Sequence, residues 1–311
     1  MRSLRLLLLF VAVSAFAAGP PKVINEGYGD FLIVPAGTFK MGDNFGDGDS
    51  RERPVHRVYL DTFYVAKFEV TNGDWKKFQS DPAYNDAKLW PNGRVVPKDQ
   101  IPYWTQPNNH GGATPNSETY PVLGVNWDAA TAYCNWLSLK TGKKYRLPTE
   151  AEWEKAARGT DGRLYPWGND WDLTKANSAS YWAGRTIDFE SGADWEAFWI
   201  KGAGAQIAKA KGLKGEVLTL PVGNFPQGIS PYGLHDMAGN VAEWVQDWYN
   251  PNYYKEAPLS DPQGPPRGAI KGMRGGSWLK PAISLHVSDR DWGLMDSRPS
   301  GTGFRCAKDA F

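Results

Sequence analysis

Residues that interrupt regular secondary structure recur along the whole chain, which has 34 glycines and 23 prolines among its 311 residues. Since both residue types mark turns, few stretches are long enough for extended helices or strands. The chain also carries 15 tryptophans, and rings of that size can fill a core between few elements. The sequence therefore predicts a loop-rich fold whose core is made largely of aromatic side chains.

The first residues have the order of a secretory signal. Arg2 and Arg5 precede an apolar run over residues 6–13, and small residues follow it. This order is typical of a cleaved signal peptide, which we assign to residues 1–18; a buried N-terminal helix is the alternative. No later apolar stretch approaches the length that spans a bilayer. We therefore expect an exported protein, periplasmic or secreted, with no integral membrane segment after signal cleavage.

The rest of the chain predicts a single domain. After a lead-in linker over residues 19–30, residues 31–311 are ample for one large hydrophobic core. An aromatic-rich stretch followed by a Gly-Ala-Lys stretch marks residues 171–216 as an insertion. The 35 basic and 34 acidic residues are interspersed and give a net charge of +1. Because there is no basic stripe, nucleic acid is not an expected partner.

A few elements have clear sequence signals. Over residues 128–140 apolar side chains recur at helical spacing, and Gly142 follows as a stop signal. Thr149 and Glu152 form a capping box that starts a second, shorter helix. The apolar run at residues 31–34 is typical of a buried strand. These elements, separated by long loops, predict an α+β domain with a low content of regular secondary structure.

The chain has only two cysteines, Cys134 and Cys306. In an oxidising compartment an isolated pair is more often bridged than free. A bridge would close a loop of about 170 residues and stabilise the fold by at most about 5 kcal/mol. Two free, buried thiols are the alternative interpretation.

Several short motifs occur in a fixed order along the chain. They are Val-Pro-Ala-Gly-Thr-Phe at residues 34–39, Phe-Glu-Val-Thr-Asn at 68–72, Tyr-Cys-x-Trp at 133–136, Arg-Leu-Pro-Thr-Glu-Ala-Glu-Trp-Glu at 146–154, Tyr-Pro-Trp-Gly at 165–168, Tyr-Gly-Leu-His-Asp-Met-Ala-Gly-Asn-Val-Ala-Glu-Trp at 232–244, Arg-Gly-Gly-Ser-Trp at 274–278 and Gly-Phe-Arg-Cys at 303–306. The ordered set resembles the formylglycine-generating enzyme (sulfatase-modifying factor) family over nearly the whole mature chain.

The resemblance implies the fold of that family, which is a variant of the C-type lectin fold with long loops. It also implies a disulfide between Cys134 and Cys306, because the family pairs the cysteines of these two motifs. Related domains occur in pyoverdine maturation and in ergothioneine synthases, and they work without the family's two catalytic cysteines.

A calcium site is also implied by the resemblance. Its side-chain ligands would be Asp236 and Glu243, and its carbonyl ligands Gly239 and Val241. Calcium binds roughly six to eight oxygens from carboxylates and carbonyls, so these residue types suit it. Without the resemblance, a solvated acidic turn would be the simpler interpretation.

A second calcium site of the family begins at an Asn-x pair, which Asn177 and Ser178 match in this chain. Its remaining ligands are expected about fourteen residues further on, where the insertion lies. Asp188 and Asp194 are both candidates for that role.

The family's characteristic reaction oxidises a cysteine of a sulfatase to formylglycine. It uses copper(I) held by two thiolates, which are the soft ligands that copper(I) prefers. The resemblance places the two cysteine positions at Leu285 and Arg290. No cysteine occurs in residues 278–305, and Cys306 matches the disulfide position. We therefore expect a cysteine-deficient member that does not oxidise sulfatases.

In place of those cysteines the C-terminal segment carries charged and aromatic residues, which we expect to line a groove. His286 with Asp289 or Asp291 can form a histidine–carboxylate pair or part of a metal site. Ordinary polar surface is the alternative, because a metal site needs three or four converging ligands. The predicted groove residues are Trp278, His286, Asp289, Arg290, Asp291, Trp292 and Arg298.

Two functions fit this pattern. The first is a scaffold without enzymatic activity, braced by calcium, whose groove binds a protein, peptide or glycan. The second is a periplasmic oxidase that holds copper or iron without thiolates, as in pyoverdine maturation. An iron site of the ergothioneine-synthase type is not expected, because it takes ligands from an additional helical domain. The sequence offers no convergent set of metal ligands, which favours binding.

Overall fold

The computed structural model describes residues 23–98, 118–189, 192–210 and 218–310. The predicted signal over residues 1–18 and the first part of the lead-in lie outside these ranges. Within the described part of the chain, no helix has both the length and the apolar character that a membrane crossing requires.

The strands are short, between two and seven residues long. They are β1 (Val23–Asn25), β2 (Asp30–Val34), β3 (Gly37–Met41), β4 (His56–Leu60), β5 (Phe63–Ala66), β6 (Tyr145–Arg146), β7 (Ala242–Trp248), β8 (Lys271–Arg274), β9 (Asp291–Gly293), β10 (Thr302–Gly303) and β11 (Ala307–Asp309). The largest sheet is antiparallel, with strand order β1-β2-β5-β11-β6. A second sheet has the order β10-β7-β8-β9 with β10 parallel to β7, and β3 pairs with β4 alone.

Residues 23–25 of the predicted lead-in linker belong to the largest sheet. Strand β1 pairs with β2, with Val23 opposite Leu32 and Asn25 opposite Asp30. Residues 23–25 are therefore an edge strand and not a linker. The predicted strand at residues 31–34 falls within β2, and Leu32 and Val34 are buried.

The helices are α1 (Asn72–Ser80), α2 (Trp127–Thr141), α3 (Glu150–Arg158), α4 (Ala179–Ala183), α5 (Gly192–Glu196) and α6 (Ala203–Ala210). Helices α1 to α4 are capped by side chains that directly precede them in sequence. Asn126 caps the start of α2, and Gly142 ends it with φ 69°, a conformation that glycine adopts without strain. The predicted capping box of Thr149 and Glu152 starts α3.

Aromatic rings fill the core around α1 and α2, as the composition predicts. Trp75 stacks on Tyr133 with ring centroids 5.9 Å apart, and Phe304 meets Tyr133 edge-on at 5.5 Å. Cys134 of α2 is bonded to Cys306 within the same cluster, with their Cα atoms 5.8 Å apart. This confirms the predicted disulfide, and it uses both cysteines of the chain.

Helix α3 is buried along its whole length. Lys155 Nζ donates to the carbonyls of Pro35 and Gly37 at 2.7 and 2.8 Å, and Arg158 donates to the carbonyls of Lys40 and Gly42. These bonds satisfy backbone groups of the β3 ribbon. The helix therefore joins the small ribbon to the sheet that carries β7 and β8.

The predicted insertion over residues 171–216 contains α4, α5, a π-helical turn at Ala197–Lys201 and α6. Residues 203–210 are helical, although a glycine- and alanine-rich stretch would suit a loop equally well. The insertion packs onto the segment that follows β8. It covers residues of that segment that were predicted to line the groove.

Candidate functional site

Three buried carboxylates meet at the loop before β7. Asp236 accepts a hydrogen bond from the Gly223 amide at 2.6 Å, and Glu69 accepts from the Val241 amide at 3.1 Å. Glu243 receives two bonds from the Arg305 guanidinium, at 2.6 and 2.7 Å, and one from the Trp153 indole at 2.8 Å. We call Glu69, Asp236, Glu243 and Arg305 the acid cluster.

Negative charge is in excess in the acid cluster, because three carboxylates share one guanidinium. Burial raises the pKa of Glu69 well above its usual range, and the neighbouring Asp236 and Glu243 raise it further. Burial likewise raises the pKa of Asp236 to about 6, although the Gly223 amide and Arg305 oppose the shift. A buried charge excess of this kind favours either a proton or a cation.

The turn that carries the predicted calcium carbonyls is held close to α4. Gly239 has φ 83°, and a Cβ added there would lie 2.2 Å from the Asn177 carbonyl oxygen, so only glycine fits. The Asn177 amide group donates to the Leu218 carbonyl and to Asn240 Oδ1, and it accepts from the Trp182 indole at 2.7 Å. Asn177 therefore connects the turn to the insertion.

The other residues of the predicted second calcium site lie in different settings. Ser178 caps α4 by accepting from the Tyr181 amide at 3.2 Å. Asp188 is exposed and acts electrostatically on Tyr165, and Asp194 belongs to α5. Among the described residues, no group of three or more histidine, cysteine, aspartate or glutamate side chains forms a metal-binding cluster. The second site stays a prediction.

Part of the predicted C-terminal groove is buried. Leu285 is fully buried, and Trp278 is 4% exposed beneath the insertion. The Trp199 ring meets Trp278 edge-on at 5.2 Å, and the indoles of Trp195 and Trp199 both donate to the Leu279 carbonyl, at 3.2 and 3.0 Å. The predicted groove was wrong at these positions because the insertion covers them.

Arg290 is also a core residue. Its guanidinium forms a two-bond pair with Glu150, at 2.7 and 2.9 Å, and lies 4.1 Å from the Tyr254 ring centre. Arg274 supports the same segment by donating to the carbonyls of Val287, Ser288 and Asp289 and to Glu154. These bonds hold the backbone of residues 287–290 in place. The Arg290 guanidinium is itself occupied by its buried partners.

The outer part of the segment remains accessible. Trp292 is 46% exposed on the edge strand β9, and the neighbouring Leu294 is 55% exposed. Asp291 pairs with Lys280 at 3.1 Å. Arg298 is half-buried, and burial lowers the pKa of its guanidinium. We call Asp291, Trp292, Leu294 and Arg298 the Trp292 surface.

His286 does not pair with the aspartates predicted for it. Its Nε2 lies 3.0 Å from the Tyr165 hydroxyl, and its Nδ1 lies 3.9 Å from Asp47 Oδ1. Burial lowers the pKa of His286 below its usual value, although Asp47 opposes the shift. Asp289 is separate from the imidazole, and burial together with Glu52 raises the pKa of this carboxyl to about 7.

Comparison with known proteins places these features in a family. Residues 18–310 match the family model described as the sulfatase-modifying factor enzyme 1-like domain. The chain belongs to this family. The formylglycine-generating enzyme of Streptomyces coelicolor is 33% identical over 306 residues, which cover 89% of this chain and 88% of that protein. A Bos taurus protein named inactive C-alpha-formylglycine-generating enzyme 2 is 30% identical over 315 residues, covering 90% and 88%.

The fold agrees with this membership. PvdO from Pseudomonas aeruginosa superposes with a TM-score of 0.66 at 23% identity, covering 94% of this chain and 100% of that one. Treponema denticola variable protein 1 superposes with a TM-score of 0.60 at 24% identity. The predicted family and its C-type-lectin-like fold of strands, few helices and long loops are therefore confirmed.

Sequence reasoning missed several residues of these sites. Glu69 and Arg305 lie within family motifs. Because Glu69 stands between the apolar residues Phe68 and Val70, the sequence did indicate a buried charge there. Asp47 carried no such signal, because its neighbours form a polar loop rich in glycine and aspartate.

Proposed function

We propose that this chain is an exported member of the sulfatase-modifying factor family that does not generate formylglycine and instead binds a protein, peptide or glycan. The observation that carries the proposal is the bond between Cys134 and Cys306, which consumes the two cysteines of the chain. Without a free thiol, no pair of thiolates is available for copper(I). The similarity to a bovine protein named as an inactive formylglycine-generating enzyme supports the same interpretation.

Calcium bracing is part of the proposal. Asp236 and Glu243 would supply carboxylate oxygens, and Gly239 and Val241 would supply carbonyls, as in the family pattern. The excess negative charge of the acid cluster fits a hard cation, because calcium takes carboxylate and carbonyl oxygens. Bound calcium would offset that charge and hold the turn before β7, and it would take no part in chemistry.

The Trp292 surface is the proposed binding surface. A half-exposed tryptophan beside an exposed leucine offers apolar area to a partner, and aromatic anchors carry much of the energy of such contacts. Arg274 holds the backbone that leads to it by donating to the carbonyls of Val287, Ser288 and Asp289. A backbone held before binding lowers the entropic cost of binding.

The test is a screen of the mature protein against a glycan array and a random peptide library. We expect hits that Trp292→Ala weakens at least about tenfold, since tryptophan hot spots contribute on the order of 2 kcal/mol or more. Leu259→Ala is the control, because Leu259 is 72% exposed and lies beside β4, where its carbonyl accepts from the Tyr59 amide. Equal binding by both variants would show that the Trp292 surface is not the site.

A second candidate function is a periplasmic oxidase that holds copper or iron without thiolates. The observation in its favour is His286, which is 5% exposed and has no hydrogen-bond partner at Nδ1 among the described residues. Metal content of the purified protein, measured by mass spectrometry before and after mild chelation, separates the two functions. We expect one or two calcium ions per chain and no change in His286→Ala. Stoichiometric copper or iron that is lost in His286→Ala would establish the oxidase instead.

A further inference from the structure

Three aromatic rings gather around Tyr165: those of Trp167, Trp171 and His286. The Tyr165 ring centre lies 5.1 Å from Trp167, stacked within 5° of parallel, and 5.2 Å from Trp171. His286 meets the same tyrosine edge-on at 5.1 Å. Trp167 and Trp171 are half-buried, so the ring cluster reaches the surface.

His286 carries an unsatisfied polar atom in this cluster. Its Nε2 is occupied by the Tyr165 hydroxyl, whereas Nδ1 has no hydrogen-bond partner in the described part of the chain. The imidazole is 95% buried, since its exposed fraction is 5%. Buried polar atoms are nearly always paired. The gap of 3.9 Å between Nδ1 and Asp47 Oδ1 is too long for a hydrogen bond.

Two carboxylates near the histidine have no lysine or arginine partner among the described residues. Asp47 is half-exposed, and Asp188 is exposed and close enough to act electrostatically on both Tyr165 and His286. Among the described residues, neither aspartate forms an ion pair with a lysine or arginine. Asp43 in the same loop differs, because its carboxylate accepts bonds from three backbone amides and from Arg53.

We propose that this cluster is a binding site for a primary alkylammonium group, such as a small amine or a lysine side chain. The site consists of Asp47, Asp188, His286, Tyr165, Trp167 and Trp171. An ammonium has three N–H donors, which match two carboxylates and the imidazole Nδ1, an acceptor when Nε2 carries the ring proton and donates it to the Tyr165 hydroxyl. The rings add cation–π attraction, which is strongest for tryptophan faces. The proposal goes beyond the binding function proposed above, because none of these residues belongs to the Trp292 surface.

Other ligand classes fit these contacts less well. A neutral sugar would leave both carboxylate charges without a counter-charge. A transition metal needs three or four ligand atoms at about 2 Å, and the described residues contain no such group. An ammonium held by hydrogen bonds of about 2.8 Å fits the wider separation between Asp47 and His286.

The experiment is an NMR titration of the mature protein that follows the indole N–H signals of Trp167 and Trp171. The probes are n-butylammonium, n-butanol as its neutral counterpart, and n-butyltrimethylammonium, which has the charge without N–H donors. We expect n-butylammonium to bind at least about tenfold more tightly than n-butanol, and more tightly than the trimethyl probe. Added salt should weaken the binding of n-butylammonium, because the site is partly exposed.

Variants test the named residues. We expect Asp47→Asn and Asp188→Asn each to weaken n-butylammonium binding about fivefold. Asp61→Asn removes the same charge from another exposed position and should leave binding unchanged. Near-UV circular dichroism confirms that each variant is folded. Equal binding of n-butanol, or full affinity in both site variants, would overturn the proposal. Binding by the Trp292 surface is measured separately, so failure here leaves that function standing.

Discussion

Arg290 illustrates how one buried side chain can hold a surface segment of this fold in place. Burial alone would raise the pKa of Glu150, but Arg290 and Arg274 together lower it below its usual value. The Arg290 guanidinium also donates to the Arg51 carbonyl at 2.8 Å, so one residue joins three parts of the chain. Its role is to hold residues 287–290 in place beneath the exposed Trp292.

Removing one partner of the Arg290–Glu150 pair is expected to destabilise the fold. We predict that Arg290→Met destabilises the protein by about 3 kcal/mol, because the buried Glu150 loses its two hydrogen bonds and keeps only the more distant Arg274, at 3.9 Å, as a counter-charge. The double variant with Glu150→Gln should lose less, because no charge is stranded. Lys144→Met is the control, since Lys144 is 74% exposed and its pair with Asp309 should contribute less than about 1 kcal/mol. Urea unfolding measures all three variants, and a change below about 1 kcal/mol in Arg290→Met would contradict the prediction.

At the scale of elements, the helices with local start signals could be predicted from sequence. Thr71 caps α1, and the box of Thr149 and Glu152 starts α3, since both signals lie within a few residues of the helix. The covering role of the insertion could not be predicted. It depends on indoles that donate to the Leu279 carbonyl from 80 and 84 residues away, and no local pattern specifies such a contact.

The same distinction between local signals and long-range contacts applies to the sites. The calcium ligands over residues 236–243 were expected from the family resemblance, whose motif is contiguous in sequence. The partners of these ligands were not, because Arg305 is 62 residues from Glu243 and Glu69 is 172 residues from Val241. The contact between Tyr165 and His286 spans 121 residues and links two motifs that sequence spacing cannot relate. The predicted groove failed for this reason, since burial of Trp278 is set by a distant element.

At the scale of the whole molecule, the disulfide joins the aromatic core to the largest sheet. Cys134 lies in α2, and Cys306 directly precedes β11, which lies between β5 and β6 in that sheet. The two cysteines are 172 residues apart, so the bond restricts a large part of the unfolded chain. Constraint of the unfolded state is the main way in which such a bond stabilises a fold.

We predict that replacing both cysteines by alanine lowers the free energy of unfolding by roughly 3–5 kcal/mol, since the loop-entropy model gives about 5 kcal/mol as an upper value. Denaturant unfolding under oxidising conditions provides the measurement. Reducing agent should destabilise the parent protein by a similar amount and leave the alanine variant unchanged. A parent protein insensitive to reduction would contradict the prediction.

The position of this bond also affects how the protein withstands proteolysis. Residues 135–305 form one covalent loop, so a protease that cuts a single peptide bond within it produces two pieces that stay joined through sulfur. The pairing of β11 with β5 would remain after such a cut, because both strands lie outside the loop. A nicked molecule would migrate as an intact chain on a non-reducing gel and separate only after reduction. For a protein expected outside the cell, one cut is therefore not the same as loss of the folded molecule.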